Sequence, residues 1–359
     1  MGANTKIEWC DFTFNPWRGC QKVAAGCVNC YAEAQSKRNP KTLGVWGPNG
    51  TRVVASEEMW RQPLKWERDV ETTVEVWKDD RPRVFCGSLC DVFEDWGGEI
   101  RGSSGGVMWD APGLSWQEQM LPGRTDGIMR DGGGRRLTLA DARARLFRLI
   151  DSTQSLDWLL LTKRPENVRR MLPIKTGRRD AIKDGRANID AWRRENVWLG
   201  TSIACQEDAD RNVPELLKCR DLCAKTVLSI EPLIGPVDLD ECWPGGMPSP
   251  GRGPYVPGVD WVIVGGESGP NARPCDIAWI RSIVRQCKYA GVPCFVKQLG
   301  ARVLVEEYAP HDWPDGVYFS TQSGLDDDMD NDPSVCDLRD PKGGDPAEWP
   351  EDVRVREVP

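Results

Sequence analysis

One loop carries the sequence Asn15-Pro16-Trp17-Arg18-Gly19-Cys20, followed by Gly26-Cys27-Val28-Asn29-Cys30-Tyr31-Ala32. Its three cysteines have the spacing C-x6-C-x2-C. Thiolates are soft ligands that suit zinc and iron–sulfur clusters. A closed structural zinc site uses four protein ligands, so three thiolates in one loop predict a [4Fe-4S] cluster whose fourth iron is free for a small molecule. A zinc site completed by Cys10 or by a distant cysteine is the alternative.

The composition favours a reduced intracellular protein. The chain has 359 residues, of which 40% are hydrophobic, enough for one large α/β domain or two ordinary ones. Fourteen cysteines in a chain of this length, without an apolar export signal, favour free thiols over a disulfide scaffold. No apolar run approaches the length of a membrane span. We therefore expect a cytoplasmic protein without a membrane partner.

Histidine content and charge narrow the possible chemistry. His311 is the only histidine, which weakens any mechanism that needs a histidine base. The net charge of −8 argues against a protein coated with basic surface. The segment Lys163–Arg194 nevertheless contains eleven Lys or Arg against four Asp or Glu. This basic block is either a solvated helix face or a surface that follows a phosphate backbone.

Seven short apolar runs predict buried parallel strands. They are Ile7–Phe14, Arg83–Cys86, Leu156–Leu161, Val197–Gly200, Thr226–Ile230, Val259–Val264 and Val292–Val296. Helical patterns lie between several of them, at Leu139–Ile150, Pro165–Leu172 and Asp276–Ala290. Alternation of strands and helices predicts an α/β fold, a parallel (βα) partial TIM barrel of about six strands.

The segments outside this alternation set the expected domain limits. We expect one barrel domain over residues 1–310, with insertions at 97–136 and 242–258. The first insertion is rich in glycine and is interpreted as a lid or loop, and the second is rich in proline and glycine. Residues 311–359 are expected to form an irregular, acidic C-terminal tail.

Polar residues follow nearly every predicted strand. The candidates for a site are Ser88, Thr162, Lys163, Ser202, Glu231 and Glu267. The carboxyl ends of the strands form the active face of (βα) barrels, so these side chains are expected at one face. Ordinary turn and capping chemistry is the alternative for each serine and threonine. For the two glutamates the alternative is a salt bridge with Lys163 or Lys297.

The cysteine loop with Tyr31 behind its third cysteine resembles the radical S-adenosylmethionine (radical SAM) superfamily. Nearly the whole chain is similar to a phage-associated three-cysteine-motif family of uncharacterised proteins. The shared motifs are N-P-W-x-G-C at 15–20, T-K-R-P-E at 162–166, S-I-E-P-L at 229–233, V-G-G-E-S-G at 264–269 and K-G-G-D with W-P-E-D at 342–352. A more distant similarity, through Cys86-Gly87-Ser88, is to spore photoproduct lyase. The spacing departs from the usual C-x3-C-x2-C of the superfamily.

The resemblance implies a radical SAM activity. Cys20, Cys27 and Cys30 would hold the [4Fe-4S] cluster, which binds SAM and cleaves it to a 5′-deoxyadenosyl radical. The residues expected near SAM are Tyr31, Ser88, Thr162, Lys163 and Ser202. Cys86, or less favourably Cys90, would return a hydrogen atom, while Glu231 and Glu267 would contact the substrate.

The same resemblance implies the partners. The substrate is expected to be a nucleic-acid base or nucleotide, in DNA modification or repair. A reductase such as flavodoxin or ferredoxin would supply the electron. A phage-encoded protein would act in the host cytoplasm.

Two alternatives belong to other functional classes. A non-enzymatic protein that binds nucleic acid or a protein partner would use the cysteines for a structural zinc or iron–sulfur knot. A metal-dependent nuclease would need clustered carboxylates, for which Asp91, Glu94, Glu231 and Glu267 are available.

Overall fold

A computed structural model describes most of the chain. The described residues are 5, 7–72, 80–102, 136–173, 182–183, 186–187, 193–239, 258–305, 312–314, 316–321 and 334–359. Two compact units divide the chain. The first contains Met1–Lys22, Cys30–Leu199 and Cys219–Ala224, and the second contains Val23–Asn29, Gly200–Lys218 and Lys225–Pro359.

Each of the seven apolar runs contributes a strand to one parallel sheet. The strands, labelled in chain order, are β1 (Phe12–Phe14), β4 (Arg83–Cys86), β6 (Asp157–Thr162), β9 (Arg194–Ile203), β10 (Cys223–Ile230), β11 (Trp261–Gly265) and β13 (Cys294–Gln298). Their order is β1-β4-β6-β9-β10-β11-β13, so every strand lies beside its predecessor among the seven. The sheet is curled as a half-barrel, which confirms the expected α/β class and partial barrel, with seven strands instead of about six.

Burial explains why these runs form strands. Trp261, Val262, Ile263 and Val264 of β11 are completely buried. Continuous apolar runs of this kind are typical of parallel strands that are covered on both faces. The sheet therefore forms where the sequence offers β-branched residues without an exposed polar face.

The helices predicted at Leu139–Ile150 and Asp276–Ala290 are present, among seven α-helices in the described part of the chain. They are α1 (Tyr31–Arg38), α2 (Pro40–Leu43), α3 (Glu57–Thr72), α4 (Leu139–Asp151), α5 (Val168–Met171), α6 (Gln206–Leu217) and α7 (Ile277–Ala290). Helix α7 begins after Asp276, whose side chain accepts a hydrogen bond from the Ala278 amide. It ends at Gly291, which has a φ of 67° and closes the helix in the left-handed region. The predicted helix at Pro165–Leu172 is a 3-10 turn, Pro165–Asn167, followed by α5.

Smaller sheets account for the remaining strands. They are β2 (Trp17–Arg18), β3 (Arg52–Val54), β5 (Ile100–Arg101), β7 (Ile182–Lys183), β8 (Arg186–Ala187), β12 (Cys275–Asp276), β14 (Val303–Val305), β15 (Tyr318–Thr321) and β16 (Ser334–Asp337). Strand β3 pairs with β2 and β5 in the first unit. Most of the expected insertion at 97–136, and nearly all of that at 242–258, lies outside the described residues.

The C-terminal segment is less irregular than the sequence suggested. Strands β15 and β16 pair with each other, and β16 also pairs with β14. Trp349 is fully buried, and its indole nitrogen donates to the carbonyl oxygen of Gly343 at 3.0 Å. Val296 of β13 donates its amide to the carbonyl oxygen of Val355. The acidic composition of residues 311–359 concealed these few apolar anchors, and the part of the segment that is described packs into the second unit.

Within the described ranges, every helix is too short or too polar to pass through a bilayer.

We predict that Trp349→Ala destabilises the protein. Removing a fully buried tryptophan leaves a cavity and should lower the free energy of unfolding by about 4 kcal/mol. Chemical denaturation followed by circular dichroism measures this change. The matched control is Tyr318→Ala in the same segment, because Tyr318 is 74% exposed and its truncation should cost about 0.5 kcal/mol or less. Equal stability of Trp349→Ala and the control would contradict the packing of this segment.

Candidate functional site

The three cysteines of the loop lie in different local structures. Cys20 and Cys30 belong to the first unit and Cys27 to the second. Cys27 is buried and ends a 3-10 helix, Ala25–Cys27. Cys30 is half-buried and precedes the first residue of α1. All three are free thiols.

The residue types of the loop suit a metal–thiolate group, but the structure does not gather them into one. Within the part of the chain that the structure describes, no three His, Cys, Asp or Glu side chains are already arranged to hold a metal ion. The loop nevertheless supplies three unoxidised sulfur donors within eleven consecutive residues, 20–30. Soft donors of this kind suit iron–sulfur clusters and zinc. The assignment of these three residues as metal ligands stays a prediction.

Cys20 lies beside a buried guanidinium. Nη1 of Arg164 is 3.8 Å from Cys20 Sγ, and Nη2 donates to the carbonyl oxygen of Gln21 at 3.0 Å. Burial, reinforced by the nearby carboxylates of Glu94 and Asp91, raises the pKa of the Cys20 thiol to about 12. Cys20 is therefore a neutral thiol at pH 7 when no metal ion is bound to it.

Arg164 is held by Asp91, which connects two strand ends. The carboxylate of Asp91, in the turn after β4, accepts hydrogen bonds from Arg164 Nη1 at 2.7 Å and from Thr162 Oγ1 at 2.7 Å. It also accepts from the Lys163 amide at 3.0 Å. A single carboxylate thus fixes the end of β6 against the turn that follows β4.

A second buried ion pair supports the first. Arg52 and Glu94 are completely buried and form two hydrogen bonds of 2.7 and 2.8 Å. Nη2 of Arg164 is also 3.6 Å from Glu94 Oε1. Breaking such a pair leaves an uncompensated buried charge, which costs about 3–5 kcal/mol. The four side chains therefore form a rigid support next to Cys20.

A hydrogen-bonded chain joins the ends of β1 and β4 to helix α1. Asn15 is completely buried; its Nδ2 donates to Ser88 Oγ at 2.9 Å and its Oδ1 accepts from the Leu89 amide at 2.7 Å. The Tyr31 hydroxyl donates to the carbonyl oxygen of Ser88 at 2.6 Å. The Tyr31 side chain is 56% exposed, so its hydroxyl is fixed while its ring is open to solvent. Gly87, with a φ of 96°, makes the turn between Cys86 and Ser88 possible.

The residues predicted to contact SAM differ in whether their side chains already form hydrogen bonds within the protein. Thr162 is buried; its hydroxyl donates to the Asp91 carboxylate and accepts from the Arg164 amide. Thr162 therefore holds the end of β6 in place. Lys163 is half-buried, and its ammonium forms no hydrogen bond or ion pair with any residue that the structure describes. Ser202 is half-buried within β9. These roles toward SAM stay predictions.

In the second unit, Glu267 fixes the segment that carries Cys27. Its carboxylate accepts from Arg273 Nη2 at 2.7 Å, from the Arg273 amide at 2.8 Å and from Asn29 Nδ2 at 3.0 Å. Arg273 Nη1 in turn donates to the carbonyl oxygen of Ala25 at 2.9 Å. Burial alone would raise the pKa of Glu267, but the hydrogen bonds from Arg273 and Asn29 outweigh it and hold the pKa below its usual range. Glu267 is therefore ionised near neutral pH and clamps both ends of segment 25–29.

The other carboxylate at a strand end is also paired. Glu231, after β10, forms a short ion pair with Lys297 of β13, as the salt-bridge alternative predicted. Both side chains remain partly exposed, at 22% and 29%. All four carboxylates that a nuclease would use are thus engaged by lysine or arginine, which disfavours that alternative.

The proposed hydrogen donor is enclosed by protein. Cys86 is completely buried, and burial raises its pKa well above the usual value of a thiol. Cys90 is 8% exposed. Cys10, the candidate fourth zinc ligand, is buried and directs its thiol to the carbonyl oxygen of Ile7 at 3.9 Å. The role of Cys86 as a hydrogen-atom donor stays a prediction.

The arginines of the basic block whose side chains the structure describes are neutralised. Each forms an ion pair with a carboxylate: Arg164 with Asp91, Arg169 with Asp221, Arg170 with Asp95, Arg193 with Glu195 and Arg194 with Asp151. Most of the block between 174 and 192 lies outside the described residues. Among the described side chains of the block, Lys163 is the cation left for an external anion.

The glycines of the V-G-G-E-S-G motif have a packing role. A Cβ on Gly266 would lie 2.1 Å from the carbonyl oxygen of Leu299, so no larger residue fits without displacing the backbone. The Gly266 amide donates to the carbonyl oxygen of Gln298, and Gln298 Nε2 returns a bond to the Gly266 oxygen at 2.8 Å. The motif therefore joins β11 to β13 closely, and this packing explains Gly266 without a ligand.

Sequence reasoning missed several residues that organise these contacts. Arg164, Asn15 and Arg273 were not singled out, although the first two lie inside quoted motifs. Arg164 and Asn15 could have been found as polar residues that lie within a quoted motif and next to the end of a predicted strand. Their partners are far away in sequence: Arg164 and Cys20, for example, are 144 residues apart.

Comparison with known proteins places the chain in a family but not in a functional class. A family model described as "Protein of unknown function (DUF5131)" matches residues 4–119 and 138–322, well over half of the chain. No curated protein and no solved structure matches the chain. The protein belongs to the DUF5131 family, whose function is unknown.

Proposed function

We propose that the protein is a radical SAM enzyme that acts on a nucleic-acid base or nucleotide. The observation that carries this proposal is the loop after β1, the first strand of a parallel half-barrel, with three free thiols at Cys20, Cys27 and Cys30. These residues would hold a [4Fe-4S] cluster. When bound, the cluster would supply the electron that cleaves SAM to a 5′-deoxyadenosyl radical. A flavodoxin- or ferredoxin-type reductase would provide that electron to the cluster.

The residues of the first unit would position the cofactor. The Asp91–Arg164 pair fixes the end of β6 and places a cation 3.8 Å from Cys20 Sγ. Tyr31, anchored through Ser88, presents an exposed ring directly after Cys30. Lys163 offers an ammonium to the carboxylate of SAM, since charge-assisted hydrogen bonds are the strong ones. Ser202 belongs to the second unit, and its contact with SAM stays a prediction from the resemblance.

The resemblance assigns substrate contacts to Glu231 and Glu267 and hydrogen-atom donation to Cys86. Glu231 and Lys297 form a partly exposed ion pair that offers an acceptor and a donor to a base. Glu267, by contrast, is already occupied by Arg273 and Asn29, so its contribution is to the position of Cys27. Cys86 would donate the hydrogen atom of its S–H bond to a substrate radical and become a thiyl radical itself.

We predict that Cys27→Ala abolishes assembly of the cluster. Anaerobic reconstitution of the wild type with iron and sulfide should give the broad visible absorption of [4Fe-4S] and, under reduction, 5′-deoxyadenosine from SAM. The variant should lose both, because two thiolates cannot hold three irons of the cluster. The matched control is Cys205→Ala, a half-buried free cysteine outside the loop, which should retain both. A colourless wild type with one equivalent of zinc would favour the non-enzymatic alternative and end the proposal.

We further predict that Lys163→Ala weakens SAM binding. Loss of one charge-assisted contact is expected to raise the Kd for SAM at least about tenfold. Equilibrium dialysis with reconstituted protein measures this change, and Lys163→Arg should recover part of it. The control Lys218→Ala removes an exposed lysine paired with Glu215 and should leave the Kd unchanged. An unchanged Kd for SAM in Lys163→Ala would show that Lys163 does not contact SAM.

A further inference from the structure

The ion pair of Glu231 and Lys297 spans one strand of the second unit. Glu231 follows the last residue of β10 and Lys297 belongs to β13, while β11 lies between these two strands. The last residue of β11 is Gly265, which has no side chain to separate the two charged groups. A Cβ on Gly265 would lie 3.0 Å from the carbonyl oxygen of Gln298, so the position leaves little room for another residue. Glu231 and Lys297 therefore meet across a glycine.

The two charged side chains lie on the face of the sheet that points away from α7. Ile230, Val264 and Val296 are level with one another in the register of the three strands, and all belong to the apolar core to which α7 contributes. Successive side chains along a strand point to opposite faces. Glu231 and Lys297 are the residues that follow Ile230 and Val296, so they leave that core, and both are partly exposed to a ligand.

The pair has hydrogen-bonding capacity that the protein does not use. Lys297 Nζ donates to Glu231 Oε1. Among the residues that the structure describes, none donates to Oε2 of Glu231, and Lys297 Nζ has no second acceptor. An ammonium has further protons to donate, and each carboxylate oxygen can accept more than one hydrogen bond. In order along the pair, a ligand would meet a donor, Nζ, and then the acceptors Oε1 and Oε2.

We propose that the Glu231–Lys297 pair binds the Watson–Crick edge of a guanine base. This inference rests on the part of the proposed function that makes a nucleic-acid base the substrate. Guanine presents the acceptor O6 and then the donors N1–H and N2–H. O6 would accept from Lys297 Nζ, while N1–H and N2–H would donate to Oε1 and Oε2 of Glu231. All of these contacts are charge-assisted, and the two to the carboxylate are parallel, which adds geometric specificity.

The order of donors and acceptors distinguishes guanine from the other bases. Thymine has a carbonyl on both sides of its N–H group, so one of its acceptors would face the carboxylate. Adenine and cytosine carry a ring-nitrogen acceptor in the middle of the edge, and in either orientation it would face Glu231 Oε1. A site that hydrogen-bonds its ligand rejects an analogue that leaves these polar groups unpaired.

The test measures binding of short single-stranded oligothymidines that carry one central guanine, hypoxanthine, adenine or cytosine. Hypoxanthine lacks only the N2 amino group of guanine. The full-length protein is used without reconstitution, because the contact involves neither a cluster nor SAM. The Kd of the guanine strand should be about tenfold lower than that of the hypoxanthine strand, because hypoxanthine leaves Glu231 Oε2 unpaired. Fluorescence anisotropy of end-labelled strands measures both values.

Two variants separate recognition of the base from folding. Glu231→Gln replaces an acceptor by an amide donor, so the guanine and hypoxanthine strands should bind with a Kd ratio of about one, whereas a loss of structure would weaken both strands alike. Lys297→Met removes the donor to O6, which both bases carry, so both Kd values should rise about tenfold while their ratio is kept. The matched control Glu215→Gln changes a lysine-paired carboxylate elsewhere and should alter neither Kd.

Equal wild-type Kd values for the guanine and hypoxanthine strands, or a ratio that Glu231→Gln leaves unchanged, would overturn this inference. Formation of 5′-deoxyadenosine by reconstituted protein is measured separately. A protein that forms it but does not prefer guanine retains the proposed radical activity and loses this inference. A preference for guanine that depends on Glu231, in a protein that forms no 5′-deoxyadenosine, supports this inference and contradicts the radical activity.

Discussion

The buried ion pair between Arg164 and Asp91 is the constraint on which the surroundings of Cys20 depend. It joins the turn after β4 to the end of β6 and holds a guanidinium against Cys20. The neighbouring pair of Arg52 and Glu94 prevents either carboxylate from relaxing toward solvent. Since a broken buried pair leaves an unpaired charge, these contacts make the surroundings of Cys20 stiff rather than adaptable.

The charges around Cys20 decide its protonation state. Before any metal binds, Cys20 is a protonated thiol because burial and two carboxylates oppose its ionisation. A metal ion that bound Cys20 would displace that proton, and the resulting thiolate would lie beside the Arg164 guanidinium. The clamp from Glu267 through Arg273 acts on the segment of Cys27 in the second unit. Within each unit, buried or partly buried ion pairs therefore fix a segment that carries a cysteine of the loop.

The fold was predictable from the sequence, and the site only in part. Strands such as Trp261–Gly265 are continuous apolar runs, a strong signal that depends on neighbouring residues alone. The end of α7 at Gly291 was visible for the same reason. Glu267 was singled out as a candidate substrate contact, but its partners Arg273 and Asn29 were not singled out. A hydrogen bond such as that of Asn29 and Glu267, 238 positions apart, leaves no periodic pattern in the sequence. The packing of Trp349 was hidden by the acidic residues around it.

In the proposed function, Cys20, Cys27 and Cys30 hold three irons of a [4Fe-4S] cluster and leave the fourth iron open to SAM. EPR spectroscopy of the reduced, reconstituted wild-type protein with and without SAM tests it most directly. The account predicts a [4Fe-4S] signal whose g values change when SAM is added, because SAM coordinates the open iron. A [4Fe-4S] signal that SAM leaves unaltered, or a protein that binds only zinc, would contradict it.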